Sequence, residues 1–198
     1  MKFSILLDFV RAGINVLLSD VDVAILADPF GYLYRDADWE GMTDGFDDPT
    51  AYGYDHVHDD PAMGWSRYAH SMRVFVQNSG FFYLSATLPS ATLMARMKKR
   101  MATEDVWDQQ AVNEEIFRPS HDDYLGPMVS VRVMNYRCFC NSKVLFKVLR
   151  HDRAYRHHLP VVAHINYHPS KDARLKDVFK FYHFGKKDVL KKFVLKFF

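Results

Sequence analysis

Cysteine is nearly missing from this sequence: 198 residues hold two, Cys138 and Cys140. That is too few for the disulfide framework that staples small secreted domains. Their Cys-Phe-Cys spacing is poor for bonding to each other and no second pair accompanies them for zinc, so they read as two small, half-buried side chains. No apolar run approaches the roughly 18 residues needed to cross a bilayer. The N-terminal Met1-Lys2-Phe3-Ser4-Ile5 lacks the cleavage-site pattern of a signal peptide. Neither sign of charge dominates, since 26 basic and 24 acidic residues leave a net charge of +2, which argues against a dedicated nucleic-acid binder. What is plentiful is apolar surface. With 48% hydrophobic and 15% aromatic residues the chain is neither disordered nor fibrous, and it reads as a soluble globular domain spanning 1–198.

The charges are segregated along the chain. From Asp36 to Asp60 there are nine acidic and no basic residues, whereas from Arg132 onward sixteen Lys or Arg face four acids. Clustered basic charge of this kind suits a solvated face or attraction of an anionic ligand.

Local patterns predict alternating helices and buried strands. Phe3 to Arg11 reads as a short helix stopped by Gly13, and Ile14 to Leu18 as a buried strand. Asp28-Pro29-Phe30 opens a further helix, with Asp as cap and Pro in its first turn. Residues 44–72 form a long irregular stretch whose aromatic content favours order. Val74-Phe75-Val76 and Phe81-Phe82-Tyr83-Leu84 look like strand segments around a polar break at Asn78-Ser79-Gly80. Pro89 to Met101 is predicted helical, with Met94, Met97 and Met101 as core filler, and Trp107 to Phe117 forms the next helix. Val161 to Ile165 is a second buried strand, followed by an amphipathic helix from Lys171 to Phe184. Residues 186–198 read as a C-terminal amphipathic basic helix, expected to dock on the domain rather than on a membrane. Together these predict an α/β layered fold.

The sharpest chemical signal is Val16-Leu17-Leu18-Ser19-Asp20-Val21-Asp22-Val23. Strand alternation would put Asp20 and Asp22 on one side, at a strand end where α/β sheets bind ligands. Two carboxylates held there are costly to ionise together. A hard divalent cation resolves that cost, and phosphate oxygens can complete its coordination. His164 follows another apolar strand, with Asn166, His168 and Lys171 close behind at a strand-to-helix junction. A helix N-terminus and a lysine there suit phosphate. At Asn78-Ser79-Gly80, glycine permits close backbone approach to a ligand, although a β-bulge explains the same residues equally well. Asp108 and Gln109 open a helix, where a first-turn acid commonly serves the dipole alone. His56, His58, Asp59 and Asp60 read as solvent-exposed polar residues rather than a second metal site.

Gly13 to Val23 resembles the Asp-x-Asp region of the nucleotide-diphospho-sugar transferases of glycosyltransferase family 77. The resemblance continues in order through Met42-Thr43-Asp44-Gly45-Phe46, Pro61 to His70, Asn78 to Leu84 and Trp107-Asp108-Gln109. It runs on through Asn113-Glu114-Glu115, Pro119-Ser120-His121, Asn141 to Lys147 and His164 to Pro169. The stretches are most similar to the plant and green-algal extensin-arabinosyltransferase members.

This resemblance implies a GT-A fold and transfer of L-arabinofuranose from a UDP-sugar donor to arabinosylated hydroxyproline of a hydroxyproline-rich glycoprotein, with retention. It implies Mn2+ (or Mg2+) bound by Asp20, Asp22 and His164. Donor contacts would come from Asp20, Asn78, Gly80, His168 and Lys171, with Asp108 and Gln109 near the reacting sugar. Family members carry an anchor helix and a βα segment ahead of the Asp-x-Asp strand. Only a short helix precedes it here, so a GT-A fold without that N-terminal segment is expected, as is Golgi residence without a visible anchor. Two alternatives remain open. One is a haloacid-dehalogenase-like phosphatase with Asp20 as nucleophile. The other is an inactive sugar-nucleotide-binding fragment.

Overall fold

A computed structural model describes residues 1–53, 76–117, 128–167 and 170–193. Helix α1 (Lys2–Arg11) buries Phe3, Leu6, Leu7 and Val10 at helical spacing, and Gly13, at φ +77°, carries the chain out of it. Strand β1 (Val16–Ser19) follows, and after the turn at Asp20–Asp22 the chain enters β2 (Val23–Ile25) of a different sheet. Asp28 accepts the Phe30 N–H at 3.0 Å and caps a 3-10 turn, Pro29–Tyr32, which is shorter than the helix expected there. Next come β3 (Trp39–Thr43), the short α2 (Asp48–Tyr52), β4 (Gln77–Leu84), α3 (Leu88–Thr103) and α4 (Asp108–Phe117). The chain continues with β5 (Val131–Val133), β6 (Phe139–Asn141), a π-helical turn at Val144–Leu149, β7 (Val162–His164) and α5 (Lys171–Tyr182).

One sheet has the order β1-β4-β3-β5, with β4 antiparallel to both neighbours and β3 parallel to β5. The other is β2-β7-β6, antiparallel on one side of β7 and parallel on the other. This is the α/β layering read from the sequence. Strand β4 is buried throughout and its side chains alternate. Phe82 and Leu84 join the cluster of α1, α3 and α4, while Phe81 and Tyr83 join a cluster with Phe139 and Val162 of the second sheet. A third cluster packs β6, β7 and the π-helical turn against Val178 of α5 and Leu190.

The expected polar break before Phe81 is instead continuous strand from Gln77, because partners satisfy its polar groups. Asn113 of α4 accepts the Gln77 N–H and donates to the Gln77 carbonyl, both at 2.8 Å, and Trp39 Nε1 donates to Gln77 Oε1 at 3.0 Å. The Asn113 side chain thereby acts as a strand neighbour beside a register shift in β3–β4. Helix α4 is also locked to α3. Buried Glu115 accepts Arg96 Nε at 2.7 Å and Arg100 Nη1 at 3.2 Å, and Arg100 also pairs with Glu104 and Glu114. This fixes the axial position of the helix whose first residues are Asp108 and Gln109.

Two further expectations need correction. Among the described residues, 187–192 are turns and not a helix. Leu190 is fully buried, with Val189 and Phe193 packed beside it, while Lys192 pairs with buried Asp177 at 2.6 Å. The segment docks on the domain, but anchoring by these contacts replaces helical bonding. Met94 and Met97 are fully buried as core filler, whereas Met101 is exposed. Cys140 is buried and Cys138 partly so, both free thiols. Among the described residues no helix is long and apolar enough to cross a membrane.

Candidate active site

Asp20, Asp22 and His164 converge although they come from different sheets. Each offers a ligand atom, and the three atoms lie within 4.8 Å of one another. The backbone builds this convergence. Asp20 N–H donates to the Gly80 carbonyl at 2.7 Å, tying the end of β1 to β4. The Asp22 carbonyl accepts the Ile165 N–H at 2.8 Å, tying the turn to the end of β7. The two aspartates therefore meet through the turn between sheets rather than by strand alternation, and Val21 between them points to solvent. The site sits at the carboxyl ends of β1, β3 and β7, where α/β sheets leave a crevice.

The hydrogen bonds assign the His164 tautomer. Asn78 Nδ2 donates to Asp44 Oδ1 at 2.7 Å and Asn78 Oδ1 accepts the Gly80 N–H at 2.8 Å, which fixes the amide orientation. His164 Nδ1 lies 3.1 Å from that same Oδ1, so Nδ1 carries the proton. Burial holds the His164 pKa below its usual value, against the opposing pull of Asp22, Asp20 and Asp44. The neutral ring then aims the Nε2 lone pair at Asp22 Oδ1, 3.1 Å away. Two acceptors facing each other repel, and a cation between them relieves the repulsion. Burial raises the Asp20 pKa, opposed by Lys2 and His164. Burial also pushes Asp22 upward, but the Lys171 hydrogen bond, the adjoining His164 ring and the Lys171 charge bring it below the usual value. Two carboxylates and one imidazole with a free lone pair fit a hard or borderline divalent ion such as Mn2+ or Mg2+.

The remaining expected residues gather around this trio. Lys171, the first residue of α5, donates to Asp22 Oδ2 at 2.6 Å. Gly80 faces His164 and Asp20 at a separation that leaves no room for a side chain. Asp108 and Gln109 open α4 beside the start of β4, where the Ser79 N–H points at Gln109 Oε1. Asp108 Oδ2 accepts Lys2 Nζ at 3.1 Å, and Gln109 Nε2 donates to Asp44 Oδ2 at 2.6 Å. His168 lies outside the described residues, as do His56, His58, Asp59 and Asp60.

Sequence reasoning missed two members of the site. Lys2 Nζ also reaches the Ser79 carbonyl at 2.7 Å and stands 3.9 Å from Asp20 Oδ1, so α1 delivers a cation between two carboxylates. Asp44, just beyond β3, accepts from Asn78, Gln109 and Asn166 Nδ2, the last at 3.2 Å, and so joins β3, β4, α4 and the segment after β7. Its signal is the one that marks Asp20, an acid at a strand end, but the residues of β3 carry no strand pattern that would announce it.

Beside the trio an open cleft of about 620 Å3 is lined by Ser19, Asp20, Val21, Asp22, Lys171 and Leu175, with Asp172 at its edge. The sequence profile of the family described as nucleotide-diphospho-sugar transferase matches residues 1–178. The chain belongs to this family. Arabinosyltransferase RRA2 of Arabidopsis thaliana is 49% identical over 193 residues, which cover 98% of this chain and 45% of that protein. Arabinosyltransferase RRA1 of the same plant is 47% identical over 193 residues, covering 98% of this chain and 48% of its own length. The chain thus spans about half the length of these curated relatives. No solved structure matches it significantly. Mixed sheets flanked by helices, with the acid pair at the end of a strand, are consistent with the GT-A-like fold expected of the family. Family membership, with the antiparallel pairing of β1 to β4, leaves the phosphatase alternative without support.

Proposed function

We propose that this domain is a metal-dependent retaining glycosyltransferase. It moves L-arabinofuranose from a UDP-sugar to arabinosylated hydroxyproline of extensin-type cell-wall glycoproteins, in the Golgi lumen. The observation that carries the reading is the meeting of Asp20, Asp22 and His164 beside Lys171 in a chain of this family. Mn2+ or Mg2+ held by these three side chains would neutralise charge developing on the departing diphosphate.

The chain's own residues do the rest. Lys171, half exposed at the start of α5, releases Asp22 to bind diphosphate oxygens in the cleft, aided by the helix N-terminus. Gly80 and Asn78 border the sugar, with Gly80 allowing backbone approach. Lys2 orients Asp108 so that its carboxylate faces positive charge developing at the anomeric carbon. Asp44 takes up the Gln109 amide nitrogen, leaving Oε1 directed toward the Ser79 N–H, 3.4 Å away, as a neutral positioning group. The curated relatives' names support an arabinosyl group as the cargo.

Incubation with UDP-arabinofuranose and, separately, with p-nitrophenyl phosphate tests the reading. The expected result is metal-dependent UDP release from the first and no turnover of the second. Phosphate-ester turnover abolished by Asp20→Asn would overturn it. UDP binding without any release would reduce the chain to a sugar-nucleotide-binding portion.

A further inference from the structure

Two aromatic rings stand in solvent next to the site and play no part in the donor chemistry. Phe46 and Tyr167 are each 43% exposed. Neither lines the cleft beside Asp22 and Lys171. Lys143 Nζ lies 4.7 Å from the Tyr167 ring centroid and 6.0 Å from that of Phe46, so one cation links both rings. Tyr167 has φ +63°, a left-handed conformation that bulky residues avoid and that clusters at binding sites. Burial pushes its phenol pKa up, and the Asp44 carboxylate, which also holds Gln109 and Asn166, lies close enough to add to that rise.

From this arrangement we infer that Phe46 and Tyr167 form a saccharide subsite that receives the sugar ring of the acceptor. A sugar ring has an apolar C–H face, which stacks on aromatic rings, and a hydroxyl rim, which needs donors and acceptors. Here the rings supply the first, and Lys143 with the Asp44–Asn166–Gln109 cluster supplies the second. The position also suits transfer. Gln109 is bonded to Asp44, the carboxylate that also acts on the Tyr167 phenol, so a saccharide on the rings lies across Asp44 from the residues placed at the donor sugar. Calling the bound saccharide an acceptor rests on the transferase reading, whereas the subsite itself rests on the two rings.

The test is aromatic 13C NMR of the chain labelled at Phe and Tyr, titrated with methyl arabinofuranoside and, in a separate sample, with UDP and Mn2+. The glycoside is expected to move the Phe46 and Tyr167 ring signals saturably. Phe46→Ala should weaken its binding about tenfold, and Phe46→Trp should retain it. Tyr167→Phe, which keeps the ring, should still show the response at Phe46. Rings that stay still as glycoside is added, or that respond to UDP instead, would overturn the subsite. Failure of UDP and Mn2+ to bind would count against the transferase reading alone, since the ring response to glycoside decides the subsite by itself.

Discussion

Asp22→Ala is expected to weaken manganese-dependent UDP binding by at least about a hundredfold, measured by titration calorimetry with and without metal. Losing a group that merely orients a ligand typically costs about 10- to 100-fold in metal affinity, and Asp22 is placed to ligate directly. Its carboxylate faces His164 with one oxygen and Lys171 with the other, at 3.1 and 2.6 Å. Removing it would delete one of the three proposed ligands and leave the Nε2 lone pair without the carboxylate it faces. The fold should survive, because Asp22 is tied to Ile165 through its backbone carbonyl. Equal UDP affinity in the variant and the parent chain, with manganese present, would contradict the assignment.

Gly80→Ala is expected to be nearly as damaging although it removes no functional group. A Cβ at this position would sit 2.5 Å from His164 Cε1, 2.8 Å from Asp20 Oδ2 and 3.0 Å from Asn78 Oδ1. The Asp20 carboxylate is partly exposed, but the other two atoms belong to buried side chains. His164 is 5% exposed and hydrogen-bonded to Asn78, and Asp20 is bonded to the Gly80 carbonyl through its backbone N–H. Something must move, at an overpacking cost of about 1–3 kcal/mol. A ligand displaced by about 1 Å can cost about a hundredfold in turnover. Thermal unfolding should therefore shift by a few degrees while UDP release from the donor falls about a hundredfold. Turnover close to that of the parent chain would show that the tight packing of His164 against β4 has no catalytic importance.

Much of the site was legible because its chemistry lies at the ends of apolar strands. Leu17 and Leu18 before the acid pair, and Val161 to Ala163 before His164, announce buried strands, so the polar residues that follow stand out. The three residues then meet because Val23 pairs with His164 in the second sheet, a register that no local pattern reveals. Where strands carry polar residues, the reading failed. β3 includes Glu40, fully buried, whose carboxylate accepts the N–H groups of Tyr34 and Arg35 at 3.2 and 3.0 Å. A buried charge with local partners breaks both strand and helix periodicity, so β3 and the acid at its end, Asp44, went unrecognised. The start of β4 looks like a break in the sequence for the same reason, since the groups that satisfy Gln77 and Asn78 come from Asn113, Trp39 and Asp44. Lys2 carried no signal at all. Its role follows from the packing of α1 against the sheet, which brings the first turn of that helix to Ser79 and Asp108. At the other end of the chain, the spacing of Val189, Leu190 and Phe193 mimics a helix, yet one fully buried leucine and the pairing of Lys192 with buried Asp177 hold it as turns.

The most direct measurement is the response of the histidine imidazole 15N signals to substoichiometric Mn2+. Without metal, His164 should show the tautomer protonated at Nδ1, as its bond to Asn78 requires. On addition of Mn2+, His164 should broaden first among the ten histidines, beginning at Nε2. A His164 ring that stays sharp while another histidine broadens would contradict a cation held by Asp20, Asp22 and His164.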